Sequence, residues 1–426
     1  MLYYGSGSRE TVFSETDLRE GLYQALERLG SRHKVIAVGP DITRFHSRAG
    51  YLTALAWRYY GEALRDVLPA LGTHAPMTAD QMDAMYTGIP HELFRVHDWR
   101  NELATLGVVP ATKVRELSEG KLDFEWPAQV NRRLVEGGYD LILSIGQVVP
   151  HEVIGMANYN KNLFVGTGGR EGINFSHYLG AVYGMERLMG EIDSPVRALL
   201  DYTSDHFSDQ LPQVVYVLTV VSTDEDGRLQ VRGLFIGDDR ECYEKAARLS
   251  QEVNITRVDK PLPNVVAYMD PSEYHSTWIA NKAVYRTRMA IADGGRLTVI
   301  APGVKEFGED PEIDRLIRKY GYVGTERVLD LVEKNQELRE NLGTAAHLIH
   351  GSTEGRFSVV YCPGHLSRSE IEKVNYGYGD LGEMMERYNP EGRAEGFHQL
   401  PDGEEFYLIK NPALGLWTFG DSGRRV

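Results

Sequence analysis

The chain has 426 residues, 42% of them hydrophobic and 25% charged, with a formal net charge of −15. That length exceeds one ordinary core and makes two domains the default, and the composition excludes disordered and collagen-like chains. The acidic balance excludes generic binding to nucleic acid or acidic membranes, and Cys242 and Cys362 are too few for a disulfide framework or a thiolate metal site.

Met1–Phe13 lacks the basic-then-apolar order of a signal peptide, and no stretch approaches the length of a bilayer span, so a cytoplasmic protein is expected. In chain order, Thr16–Leu29 has helical spacing with Ser14 or Thr16 as its cap. Lys34–Val38 reads as a short buried strand whose exit carries Asp41, Thr43 and Arg44, where open α/β sheets bind ligands. Leu52–Leu68 is helical in pattern, and Ala70–Pro76 reads as a strand end carrying Thr73 and His74. Thr78 with Gln81 predicts a capped helix start. Glu92–Val96 reads as a strand that exits through His97-Asp98, and Tyr139–Ile145 as the next strong strand. Val214–Ser222 and Leu229–Ile236 predict a β-hairpin around Asp224–Gly227, and a helix follows over Gly237–Glu252. Pro261, Pro263 and Pro271 suggest a hinge. Beyond it, Ile279–Ala292 and Thr325–Asn341 are helical in pattern, while Arg296–Ala301, Phe357–Cys362 and Glu405–Ile409 read as strands. The alternation predicts an α/β fold with two α/β domains, residues 1–268 and 269–426, and an active-site cleft between them.

Chemistry concentrates between Pro150 and Tyr178. His151, Lys161 and His177 are threaded there through Gly155, Gly166, Gly168 and Gly169. Imidazoles shuttle protons near neutral pH or bind metals, and a desolvated lysine amine forms covalent adducts. If the strands are parallel neighbours, their exit loops converge, and two histidines from different loops could face each other across a small substrate, one as base and one as acid, with His74 read as functional. His97 reads as a loop brace. Arg44 can fork onto a carboxylate or phosphate. Asp41 and Thr43 suit a cofactor phosphate or ribose, or a cap on the next segment. Lys282 alone reads as an exposed helix lysine. These residues leave several alternatives open: unrelated side chains in a Gly-rich loop, a zinc-dependent hydrolase using His74, His151 and His177, a pyridoxal enzyme built on Lys161, and a non-catalytic protein holding an anion through Arg44.

Taken together, the motifs resemble the lactate racemase family, which depends on a nickel-pincer nucleotide. They are Asp41-x-Thr43-Arg44, Gly72-Thr73-His74-x-Pro76, His97-Asp98, Gly146-x4-His151, the step of 10 residues to Lys161, the step of 16 to His177, and Lys282 lying 12 before Gly294. The resemblance spans roughly residues 10–305. It implies that Lys161 carries the cofactor (a Ni(II) pyridinium-3-thioamide-5-thiocarboxylic acid mononucleotide), with Asp41 and Thr43 as further cofactor-binding residues and His177 as the nickel ligand. His74 and His151 would alternate as base and acid, and Arg44 and Lys282 would bind the substrate carboxylate. The implied activity is racemisation or C2-epimerisation of a small anionic 2-hydroxyacid by proton-coupled hydride transfer. One histidine takes the hydroxyl proton as hydride passes from C2 to the pyridinium ring, and the 2-keto acid takes hydride back on its other face. Cofactor-biosynthesis enzymes are the implied partners. Met156–Asn160 stands where the family has a small, Gly-rich run, so Tyr159 and two amides are expected to reshape the cofactor pocket. Trp278 and Asn281 depart from the pattern near Lys282. A substrate larger than lactate, such as a sugar acid, is the expectation.

Overall fold

The computed structural model describes residues 1–224 and 228–420, which form two compact α/β units. The first comprises Met1–Leu179 with Leu188–Asn254; the second comprises Gly180–Arg187 and the chain from Ile255 onward. Among the described residues, no helix is long and apolar enough to cross a membrane.

The first unit is built on a six-stranded sheet of β1 (Leu2–Gly7), β2 (Val35–Val38), β3 (Leu64–Val67), β4 (Leu141–Gln147), β5 (Gln213–Thr223) and β6 (Leu229–Gly237), in the order β1-β6-β5-β4-β2-β3. Strands β3, β2, β4 and β5 are mutually parallel, while β6 and β1 pair antiparallel. The unbroken apolar run of β2 follows from burial on both faces: Ile36 and Val38 enter one core cluster, Val35 and Ala37 the other. The helix Glu15–Leu29 starts at Ser14, which forms a capping box with Asp17, and lays Leu18, Leu22 and Leu26 on the sheet. The hairpin pairs β5 with β6 as expected, and its turn residues 225–227 lie outside the described residues.

Parts of this unit differ from expectation. The pattern over 52–68 divides into a helix, Ala49–Tyr60, and strand β3. Asp66 inside β3 accepts from Tyr139 and pairs with Arg95 at 2.7 Å, so a satisfied carboxylate hides the strand signal. Residues 92–96 form no strand: a short 3-10 turn, His91–Leu93, leads to Phe94, which bridges Val67. An antiparallel ribbon, Leu103–Val109 with Trp126–Asn131, had no counterpart in the sequence reading.

The second unit carries β7 (Leu262–Tyr268), β8 (Ile291–Ala301), β9 (Ser358–Pro363), β10 (Gly377–Tyr378), β11 (Gly396–Gln399) and β12 (Glu405–Ile409), ordered β10-β9-β8-β7-β12-β11. All neighbours are parallel except β11 and β12. The proline-marked stretch thus contains β7, paired on both sides. The helical pattern over 279–292 resolves into Thr277–Ala280 and Lys282–Thr287, after which β8 begins.

Candidate active site

Because β2, β3 and β4 run parallel, their carboxyl ends share one edge of the sheet. The alignment continues past the strands, where Ala70 donates its N–H to Gly39 O at 2.7 Å and Pro40 bridges Ala70. This brings the β2 exit with Asp41 beside the β3 exit with His74. Asp41 is buried and caps the turn after β2: its Oδ1 accepts from Thr43 N at 3.1 Å and from Thr43 Oγ1 at 2.5 Å. Its Oδ2 lies 2.5 Å from Nδ1 of His74, whose side chain is 41% exposed. Burial pushes the Asp41 carboxyl up, but the His74 charge and the hydrogen bonds from His74 and Thr43 prevail and hold it at about 2. Asp41 therefore stays ionised and orients the imidazole.

His151 follows β4 in a small ribbon, Pro150–His151 with Gly155–Met156. It is buried, its Nδ1 accepts the Val153 N–H at 3.1 Å, and the Glu152 carboxylate lies 3.9 Å from that nitrogen. Lys161 is the second residue of the short helix Asn160–Phe164. Loss of solvation, reinforced by the Arg44 charge, lowers its amine to about 8. His177 sits in the helix Arg170–Tyr183 and donates Nδ1–H to Ile173 O at 2.7 Å. Loss of solvation, with the Lys161 charge next, brings its imidazole down to about 4. Lys161 feels Arg44 and Asp41, His177 feels Lys161 and His74, and Glu152 acts on both. One electrostatic cluster thus includes Asp41, Arg44, His74, Glu152, Lys161 and His177. Glu152 is the member that sequence reasoning missed, and its adjacency to His151 was the only signal.

The remaining candidates are placed differently. His97 is buried, with Nε2 donating to Gly168 O at 3.0 Å and Nδ1 facing Asn131 Nδ2 at 3.1 Å. It is a brace, and what it braces is the glycine loop after Lys161. Tyr159 does not face the strand ends: it packs on Tyr216 and Tyr243, with ring centroids at 4.3 and 5.1 Å. Asn160 is fully buried against Arg197 and Asp201. Of the three side chains expected to reshape the pocket, only Asn158 lies at the strand ends, with its amide against Gly146. Lys282 belongs to the second unit, where it opens the helix Lys282–Thr287 and holds its Nζ 5.9 Å from the Tyr274 ring centroid. Among the described residues, no group of three or more His, Cys, Asp or Glu side chains could hold a metal ion, so His74, His151 and His177 do not form a ready zinc site.

Fold and site together define an α/β protein with an acid–base and amine cluster at the carboxyl ends of parallel strands. Residues 23–188, which include all of that cluster, match the model of the lactate racemase N-terminal domain. Two solved structures are similar over nearly the whole chain. A protein from Thermotoga maritima solved by a structural genomics consortium is 27% identical, with a TM-score of 0.82 over 96% of this chain and 99% of that one. The lactate racemase apoprotein from Thermoanaerobacterium thermosaccharolyticum is 16% identical, with a TM-score of 0.71 over 97% of this chain and 94% of that one, and shares the fold. No curated protein matches the chain in sequence.

Proposed function

We propose that the chain is a nickel-pincer nucleotide-dependent 2-hydroxyacid racemase or C2-epimerase, taking a small anionic substrate and relying on cofactor-biosynthesis enzymes for its maturation. The observation that carries this reading is the docking of the Lys161 segment on the strand exits, where Asn162 donates to Val38 O at 3.0 Å and Gly72 N–H to Gly166 O at 2.8 Å, with the half-buried Lys161 and His177 in one electrostatic neighbourhood. The donor set fits the cofactor. Burial that lowers the Lys161 amine favours the free base, the form that makes a covalent bond. The Ile173 carbonyl fixes the proton of His177 on Nδ1 and so directs the Nε2 lone pair outward, as in metal-ligating histidines. Lys161 would hold the cofactor, and His177 would hold its nickel.

When bound, the cofactor supplies the hydride acceptor. The protein's own groups do the rest. Arg44 binds the substrate carboxylate, supplying the local cation that an acidic protein needs for an anionic ligand, and Lys282 is proposed as a further substrate-binding cation. His74, oriented by Asp41, takes the 2-hydroxyl proton on one side, and His151 serves the hydroxyl on the other. Two imidazoles are needed because the hydroxyl of the two configurations points to opposite sides of C2. A polyhydroxy acid larger than lactate remains the proposed substrate class, with Asn158 rather than Tyr159 or Asn160 as the amide able to meet it.

Intact-mass measurement after co-expression with the biosynthetic enzymes tests the assignment. The wild-type chain should gain the cofactor mass and racemase activity, and Lys161→Ala should gain neither. A normal covalent adduct on the Lys161→Ala chain would overturn it.

A further inference from the structure

We infer that Arg197 is a positioning residue for Lys161, clamping the elbow Met156–Asn160 from which the lysine is presented. The inference rests on the role of Lys161 proposed above. Asn158 and Tyr159 have φ of +65° and +60°, and Tyr159 has ψ of −137°. Two consecutive residues other than glycine at positive φ are unfavourable, above all when one is a bulky aromatic. Something outside the elbow has to hold it.

Arg197 does so from the helix Pro195–Phe207. Its fully buried guanidinium donates Nη2 to the carbonyls of Met156 at 2.8 Å and Asn158 at 3.2 Å, and Nη1 to Oδ1 of Asn160. The fork lies against the ring of Tyr243 at 4.3 Å, and Tyr243 stacks on Tyr159. Asn160 is gripped from its other end, where Nδ2 donates to Asp201 at 2.7 Å and Ser204 at 3.2 Å, and Arg240 closes on Asp201. The helix start is tied to the same loop, since Ser194 caps Arg197 N at 3.0 Å and donates to Ile154 O at 2.9 Å. Every residue of the elbow's second half is therefore fixed from α-helical structure more than 30 residues away in sequence.

Stability alone does not account for this arrangement. The Nε of Arg197 has no hydrogen-bond acceptor among the described residues, and a buried cation with an unmet donor is costly where apolar packing would serve. What the clamp yields is a fixed origin for a long side chain. Lysine has four rotatable bonds, and its amine must meet one point beside His177. Holding the backbone one residue earlier narrows the positions that the amine visits. The Arg197 charge also adds to burial and Arg44 in lowering that amine.

The test uses the full-length chain without cofactor and reads acetylation of Lys161 by a small water-soluble amine reagent, mapped by peptide mass at fixed pH. Arg197→Lys keeps the charge and loses the fork, so a change in rate reports position rather than charge. The expected result is labelling about tenfold faster, the factor that one charge-assisted hydrogen bond represents. Leu22→Ala, in the core behind the helix Glu15–Leu29, supplies a general loss of stability and should leave Lys161 labelling near the wild-type rate. Asn160→Ala removes one of the three clamp contacts and should raise labelling about threefold. It carries the test if Arg197→Lys does not fold. Unchanged labelling in a folded clamp variant, or an equal rise in Leu22→Ala, overturns the inference. Failure of the cofactor to attach to the wild-type chain would instead remove the role proposed for Lys161 and leave the clamp result standing.

Discussion

His74 and His151 emerge from strands on either side of β2, yet the chain holds their rings in opposite ways. His74 is 41% exposed and rests Nδ1 on the Asp41 carboxylate; the His151 side chain is 7% exposed and takes a backbone N–H on Nδ1. An ionised carboxylate only accepts, so a proton of His74 is assigned to Nδ1, and Nε2 is the nitrogen left to exchange one. A backbone N–H only donates, so the His151 proton is assigned to Nε2. Each ring is thus held at Nδ1 by a partner of the opposite kind, an acceptor for His74 and a donor for His151. The two imidazoles fill matching roles in the proposed reaction without being equivalent groups.

The strongest way to break this comparison is to remove either ring. Every conversion between configurations needs one group to take the hydroxyl proton and another to return it. His74→Ala and His151→Ala should therefore each lower kcat of the loaded enzyme about 10²–10⁴-fold in both directions, read by chiral chromatography. A single variant that still interconverts both configurations at near wild-type rate would mean that one imidazole suffices. Removing only the orienting charge should cost less. Asp41→Asn keeps the size of the side chain, and a loss of about 10–100-fold in kcat is expected, the range typical of partners that orient an active imidazole.

Asp41 also gives the comparison a signature in stability. Its carboxyl is held at about 2 in the fold, below its ordinary value of 3.8, so the folded chain favours the ionised form. The resulting contribution, of order 2 kcal/mol, is fully present above about pH 4 and disappears as pH falls through about 2. Denaturant titrations should therefore find wild type more stable than Asp41→Asn at pH 7, with the gap closing towards pH 2. A gap independent of pH would show that packing, not charge, couples Asp41 to the fold.

The sequence made the site easier to read than the clamp behind it. Val35–Val38 stands out because a doubly buried parallel strand is apolar at every position, and its exit residues could be placed without further information. Strand β3 was hidden because Asp66 interrupts the apolar pattern, and only the distant Tyr139 and Arg95 satisfy it. The positions of Tyr159 and Asn160 were misjudged for a similar reason. A polar or aromatic residue beside a reactive lysine suggests a pocket wall, and nothing near it in sequence reveals that Arg197, Asp201 and Tyr243 wait to bury it. Local patterns report which face of an element is apolar; they carry no record of a polar partner 40 residues away.

His97 sharpens the contrast from the structural side. Both of its ring nitrogens are engaged by the protein, and burial lowers its basicity, so it stays neutral near pH 7. His97→Ala would strand the Gly168 carbonyl and the Asn131 amide, at about 1–3 kcal/mol for each. Stability should fall by that order while kcat of the protein that remains folded stays within a few-fold of wild type. A loss of kcat as large as that of His74→Ala would move His97 into the reacting cluster.

The smallest effect expected is the location of a single proton. In ¹⁵N-labelled, cofactor-free protein at neutral pH, the two nitrogens of the His151 ring should give distinct signals, Nδ1 unprotonated and Nε2 protonated. His177 should show the reverse, with the proton on Nδ1 facing Ile173 O. The two assignments follow from the same rule, since a donor against a ring nitrogen removes its proton and an acceptor keeps it there. They also have opposite consequences, because Nε2 of His177 is left with a lone pair while Nε2 of His151 carries a hydrogen. Finding the His151 proton on Nδ1 would mean that the Val153 contact is absent in solution, and the contrast between the two rings would go with it.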